Sequence, residues 1–156
     1  MKIATGQPAP DITLPDQAGA QWSLGGQRGT PVVLYFYPKD DTPGCTTQAC
    51  DIRDHWAEFS ELGVPVVGIS PDDVDSHAEF VGRYDLPHTL LADTDRAAID
   101  AYGAWDEKTM HGKTYEGVMR SSVVVDGDGQ VAAVFDQITP NDQSAKALEA
   151  VRELLG

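Results

Sequence analysis

Cys45 and Cys50 are the two cysteines of this 156-residue chain, and they lie five positions apart. They sit in the stretch Tyr35-Phe-Tyr-Pro-Lys-Asp-Asp-Thr-Pro-Gly-Cys-Thr-Thr-Gln-Ala-Cys50. The apolar run Val32 to Tyr37 leads into it and predicts a buried strand. Thr42-Pro43-Gly44 predicts a helix start. Thr is a good N-cap, and Pro costs nothing at the first helical position. Cys45 then falls on the third helical residue. First-turn N–H groups have no helical partner and the macrodipole is positive there, so both favour thiolate over thiol. These residues in this order predict an activated sulfur nucleophile where a strand hands over to a helix.

Cys50 has a separate geometry. Residues five apart in an intact helix are about 8.6 Å apart at Cα and roughly 140° apart around the axis. A disulfide needs Cα atoms within roughly 7 Å. Either the two cysteines never pair, or pairing unwinds the first turns of the helix. Such a pair suits a switch better than a staple, since so small a loop stabilises little.

Pro38-x-x-x-Thr42-x-x-Cys45 resembles the active-site pattern of peroxiredoxins, the thiol peroxidases. The second cysteine five residues on resembles the bacterioferritin comigratory protein and peroxiredoxin Q subfamily. The likeness extends through Gly68-Ile-Ser70, Trp105-x-x-Lys108, Gly112-Lys113-x-Tyr115-x-Gly117 and Arg120, and covers nearly the whole chain. The resemblance implies a thioredoxin-like α/β fold with a mixed central sheet and an N-terminal extension. It implies that Cys45 attacks the O–O bond of hydrogen peroxide or an organic hydroperoxide and becomes a sulfenic acid. Thr42 and Arg120 would position the peroxide oxygens, and Pro38 would shield the site. Cys50 would resolve the sulfenic acid as a disulfide, which thioredoxin or a glutaredoxin-type protein would reduce. It implies no cofactor and no metal, and a monomer. The chemistry agrees: charge develops on the leaving oxygen, and fixed donors such as Arg120 are what that transition state needs. A sulfenic acid condensing with a nearby thiol is the expected second step.

Two other classes share parts of this pattern. A thiol–disulfide oxidoreductase also carries a cysteine at a helix N-terminus, but uses Cys-x-x-Cys, whose partners bond without unwinding. A binding or chaperone domain on the same scaffold would have no use for an activated thiol. The four histidines, His55, His77, His88 and His111, show no zinc-type spacing with one another or with the cysteines.

The length fits one domain, residues 1–156, with room for a real core. No run approaches the roughly 18 apolar residues of a membrane span. The stretch Met1 to Gln7 lacks the apolar centre of a signal peptide, so a soluble cytoplasmic protein is expected. A net charge of −14 repels nucleic acid and anionic membranes. Against that background Arg120 would stand out as local positive charge, with Arg53 and Lys113 as bystanders.

The elements that must hold these residues alternate. Ile12–Leu14 and Gln21–Leu24 predict a small hairpin. The buried strand Val32–Tyr37 leads into a helix over 43–61, with Ile52, Trp56 and Phe59 on its apolar face. Val64–Ser70 is the next strand. Ser70-Pro71-Asp72-Asp73 predicts a second helix start, His88–Ala92 a short strand, and Asp93 the cap of a helix ending at Gly103. Trp105, His111 and Tyr115 read as a glycine-flanked loop before Arg120. Ser121–Asp126 and Gln130–Phe135 form a hairpin around Gly127-Asp128-Gly129. The Asp126 to Gly129 run faintly resembles a calcium loop, but the turn reading is preferred. A last helix covers 141–155.

Overall fold

The computed structural model describes residues 1–110 and 112–156, without the side chains of residues 108 and 110. A five-stranded mixed sheet forms the centre. Its strands are β3 (Val32–Phe36), β4 (Val66–Ser70), β5 (Thr89–Ala92), β8 (Ser121–Val125) and β9 (Val131–Phe135), in the order β5-β4-β3-β8-β9. β3 runs parallel to β4 and antiparallel to β8, and β4 runs parallel to β5. The predicted N-terminal hairpin is β1 (Thr13–Pro15) with β2 (Gln21–Ser23).

β3 carries the reason for its central place. All five of its residues are buried, and they alternate between two cores. Val32, Leu34 and Phe36 face one core, which also takes Ile99 and Tyr102 of α4 (Ala97–Tyr102). Val33 and Tyr35 face the other, with Ala49 and Ile52 of α1 (Pro43–Asp54), Phe59 of α2 (Trp56–Leu62), Phe80 of α3 (Val74–Tyr84) and Leu148 of α5 (Gln143–Leu155). Each Val, Leu, Ile or Phe among them contributes roughly 1.5–3 kcal/mol by leaving water. Cys45 belongs to this second core.

The sheet register brings the distant parts of the site together. Phe36 of β3 stands opposite Ser121 of β8. Arg120, one residue before β8, therefore meets the chain as it leaves β3 for α1.

The structure corrects the sequence reading in four places. The helix expected over 43–61 is two helices broken at His55, whose backbone leaves the helical region at φ −106° and ψ 12°. The His55 ring nitrogen Nδ1 donates to the Asp51 carbonyl at 2.8 Å, and the same carbonyl accepts the His55 backbone N–H at 3.2 Å. The second helix starts later than Ser70-Pro71 suggests. Asp73 is its N-cap and accepts from the Ser76 N–H at 2.8 Å. Asp93 lies four residues before α4, yet its carboxylate still accepts the Ile99 N–H at 2.8 Å. The segment read as a loop is a hairpin, β6 (Trp105–Met110) with β7 (Lys113–Val118). Asp106, Glu107, Thr109, Thr114, Tyr115 and Glu116 are all exposed, so the alternation that marks a half-buried strand is missing. His111 lies outside the described residues. The turn at 126–129 is as expected: Asp126 Oδ1 accepts the N–H groups of Asp128 and Gln130, both at 2.9 Å.

Candidate active site

Cys45 is the third residue of α1, after Pro43 and Gly44, where the sequence placed it. It is 1% exposed and is a free thiol. Thr42 is the N-cap by backbone geometry, at φ −93° and ψ 157°, but its hydroxyl makes no capping bond. It turns back instead and donates to the Lys39 carbonyl at 2.9 Å. The expected cap bond is thus replaced by one that closes the loop 39–42. The Thr42 oxygen keeps its lone pairs, and the first-turn N–H groups are left to the site.

Arg120 supplies the positive charge. Its Nη2 donates to Cys45 Sγ at 3.3 Å, and its Nη1 donates to Gln48 Oε1 at 2.5 Å. The guanidinium is thus held at both ends across one turn of α1. Gly44 makes the approach possible. A Cβ there would lie 2.9 Å from Arg120 Nη2. Arg53 is not part of this arrangement; it donates to the Tyr84 carbonyl at 2.8 Å and pairs with Asp54. Lys113 lies exposed on β7.

The loop from Pro38 to Thr42 is pinned from α3. Asp40 is buried and accepts from Tyr37 Oη at 2.6 Å, Ser76 Oγ at 2.8 Å and His77 Nδ1 at 2.7 Å. His77 Nε2 lies 2.9 Å from the Leu91 carbonyl oxygen. The next residue, Asp41, is left-handed at φ 57° and accepts from Arg83 and Tyr84 at 2.5 and 2.6 Å. An Asp tolerates that conformation better than most residues, and its partners hold it there. The Asp40, Asp72 and His77 ligand atoms lie within 4.8 Å of one another, a spacing that a metal could bridge. All three are engaged by protein groups, with Asp72 Oδ2 accepting from Ser70 Oγ and the Asp40 N–H. The cluster fastens the loop.

Beneath Cys45 lie Tyr35 and Tyr37, stacked with centroids 5.4 Å apart. Burial, then the nearby Cys45, pushes the Tyr35 phenol well above its ordinary value. Its hydroxyl lies 2.8 Å from His88 Nε2. Burial pushes His88 down to about 3, so this ring is neutral. Beside Arg120 opens a cleft of about 620 Å³ lined by Glu107, Thr109, Met119, Gln137, Ile138 and Thr139. Cys50 lies further along α1, half-buried and free. Both cysteines are inside one unbroken helix, so helix geometry keeps them about 8.6 Å apart at Cα.

The sequence reading missed Gln48, Gly44, Asp40 and His77. Gln48 had a usable signal: it follows Cys45 by three positions, which puts both on one helix face. Asp40 and His77 are joined only by the tertiary fold.

The chain matches the AhpC/TSA family over residues 5–134. It is 43% identical over 148 residues to a putative peroxiredoxin bcp of Coxiella burnetii, covering 95% of this chain and 98% of that one. It is 38% identical over 154 residues to peroxiredoxin Bcp of Bacillus subtilis, covering 99% and 98%. The chain belongs to the peroxiredoxins of the AhpC/TSA family. Among solved structures, the bacterioferritin comigratory protein of Xanthomonas campestris superposes with a TM-score of 0.90 at 30% identity, covering 98% of this chain and all of that one. This peroxiredoxin is thus of the bacterioferritin comigratory protein and peroxiredoxin Q type, has the thioredoxin-like fold expected, and is a thiol peroxidase. Among its described residues, no helix is long and apolar enough to cross a membrane.

Proposed function

We propose that this peroxiredoxin reduces hydrogen peroxide and organic hydroperoxides at Cys45, with Cys50 as the resolving thiol. The observation that carries the assignment is the Arg120 guanidinium 3.3 Å from Cys45 Sγ in the first turn of α1. In the first step the Cys45 thiolate attacks one peroxide oxygen. The O–O bond breaks, an S–O bond forms, and the leaving oxygen departs as water or an alcohol after taking a proton. Sulfur is oxidised to sulfenic acid and the peroxide is reduced. Arg120 and the open first-turn N–H groups stabilise the developing negative charge. The Thr42 oxygen accepts from the bound peroxide, and Pro38 shields the thiol from water.

In the second step Cys50 attacks the sulfenic sulfur, a disulfide forms and water leaves. The helical separation of the two cysteines requires α1 to unwind locally for this step. A dithiol protein of the thioredoxin or glutaredoxin class then reduces the disulfide. The cleft beside Arg120 has the size of a small-molecule site and gives the carbon part of an organic hydroperoxide a place to lie. The Xanthomonas campestris relative is described as reducing alkyl peroxides. A monomer of one domain, working in the cytoplasm, completes the proposal.

The test is peroxide consumption coupled to thioredoxin, its reductase and a nicotinamide reductant. Cys45→Ser should abolish turnover with the fold intact. Substantial turnover by that variant would refute the assignment of Cys45.

A further inference from the structure

Arg120 is held at its far end by Gln48, and Gln48 is itself held. It is fully buried, and its Nε2 donates to Gln143 Oε1 at 2.9 Å. Gln143, also fully buried, is the first residue of α5, and its Nε2 donates to Ser122 Oγ at 3.0 Å. Ser122 Oγ donates to the Leu34 carbonyl in β3 at 3.0 Å. Four polar side chains thus run in one line from the reacting sulfur to the central strand.

The direction of every bond in this line is forced. Arg has only donors, so the Gln48 oxygen must face it. The Gln48 amide nitrogen then faces Gln143 and needs an oxygen there. The Gln143 nitrogen must therefore point at Ser122, whose own proton has the Leu34 carbonyl as acceptor. If Gln143 lost its acceptor, the buried Gln48 NH2 would be left unpaired. The Gln48 amide would then be anchored only by the Arg120 it has to hold, and could shift toward another acceptor and carry the guanidinium with it.

The first turn of α5 is also clamped to α1. Asp51 Oδ2 accepts the Ser144 N–H at 2.9 Å. Gln48 and Asp51 are three residues apart on one helix face, so α1 grips both Gln143 and Ser144.

We infer that Gln143 is a positioning residue of the peroxidase reaction. It touches neither the thiol nor the cleft, and acts by fixing the Gln48 amide so that Arg120 is aimed at Cys45. The inference rests on the assignment of Cys45 and Arg120 above. The competing explanation is that Gln143 merely docks α5 on the sheet.

The experiment is a double-mutant cycle on the rate of Cys45 oxidation by hydrogen peroxide. It is read in single turnovers by stopped-flow tryptophan fluorescence, with melting curves for each variant. Gln143→Met should slow the wild-type reaction roughly 10- to 100-fold, the scale of a misplaced reacting group. In the Arg120→Met background the same change should slow it less than twofold, because the group it aims is gone. Gln143→Glu keeps a side-chain oxygen as acceptor for Gln48 and should stay within a few-fold of wild type. Should Gln143→Met fail to fold, Ser122→Ala takes its place in the cycle, with a smaller effect of the same pattern. Equal slowing in both backgrounds, or no slowing in the wild-type background, would overturn the inference. Failure of the underlying assignment looks different: Arg120→Met alone would then leave the rate unchanged.

Discussion

Gly44→Ala offers a sharp separation of stability from activity. Gly44 is the second residue of α1 and has no left-handed backbone angle, so Ala is conformationally allowed there. Ala is the better helix former by up to about 1 kcal/mol, less in a first turn. Stability should therefore stay level or rise. The added Cβ would lie 2.9 Å from Arg120 Nη2, 3.6 Å from its Cζ and 3.8 Å from Pro140 Cγ. Relief to about 3.4 Å requires the guanidinium to retreat by roughly 0.5 Å. That nitrogen is the one that donates to Cys45 Sγ, while its twin is tied to Gln48, so the retreat is taken from the thiol contact. A misplacement of 1 Å can cost about 100-fold, so about half that shift should cost on the order of tenfold. The assay is single-turnover oxidation of the reduced protein by hydrogen peroxide. Trp56, packed against the core that holds Cys45, is a natural reporter. Thermal unfolding is measured alongside. A rate equal to wild type in a variant of equal or greater stability would refute the reasoning. A fall in both together would mean that the Cβ damages the helix itself.

Arg120→Met should slow peroxide attack on the reduced protein by about 10²–10³. A rate within twofold of wild type would make Arg120 a bystander. Oxidation should unwind α1 from Thr42 to beyond Cys50, so amides over 42–52 lose protection from hydrogen exchange. The Ser144 amide should lose protection too, because its acceptor is Asp51 on α1. A disulfide form with the reduced exchange pattern would contradict this. His88 gives a pH prediction. Burial lowers it from 6.5 to about 3, so between those values the unfolded chain binds the extra proton. Stability should be fully present above about pH 6.5 and fall as the pH drops toward 3. His88→Gln can keep a bond to Tyr35 and should flatten that slope in urea titrations. An unchanged slope would assign the acid sensitivity to other groups.

The placement of the candidate residues around Cys45 was legible because it is local. Thr42-Pro43-Gly44-Cys45 writes a helix start into consecutive positions, and the helix begins at Pro43 as read. The central strands were legible for a similar reason: β3 is a short, continuous apolar run, β4 and β8 are rich in β-branched residues, and all three are wholly buried. The hairpin β6–β7 was not, because exposed polar strands lack a period to read. The break at His55 escaped because Arg53-Asp-His-Trp56 carries no Pro or Gly to mark a helix end. The hydroxyl of Thr42 was assigned the wrong partner, since a cap bond and a loop-closing bond draw on the same side chain. The supports of the site were the least legible. Gln48, Gln143 and Ser122 come from α1, α5 and β8, and only the folded sheet brings them into line. The same holds for Asp40 and His77, 37 residues apart in the chain.

The proposed cycle needs the Cys45 sulfur to take oxygen from peroxide and the Cys50 thiol to remove it. Reduced Cys50→Ser protein, given one equivalent of hydrogen peroxide and analysed by peptide mass spectrometry, tests this directly. One added oxygen atom is expected, on the peptide holding Cys45, trapped by a sulfenic-acid reagent. In wild-type protein the same treatment should yield a Cys45–Cys50 disulfide and no added oxygen. Oxygen found on another residue, or a Cys45 left unreacted while peroxide is consumed, would contradict it.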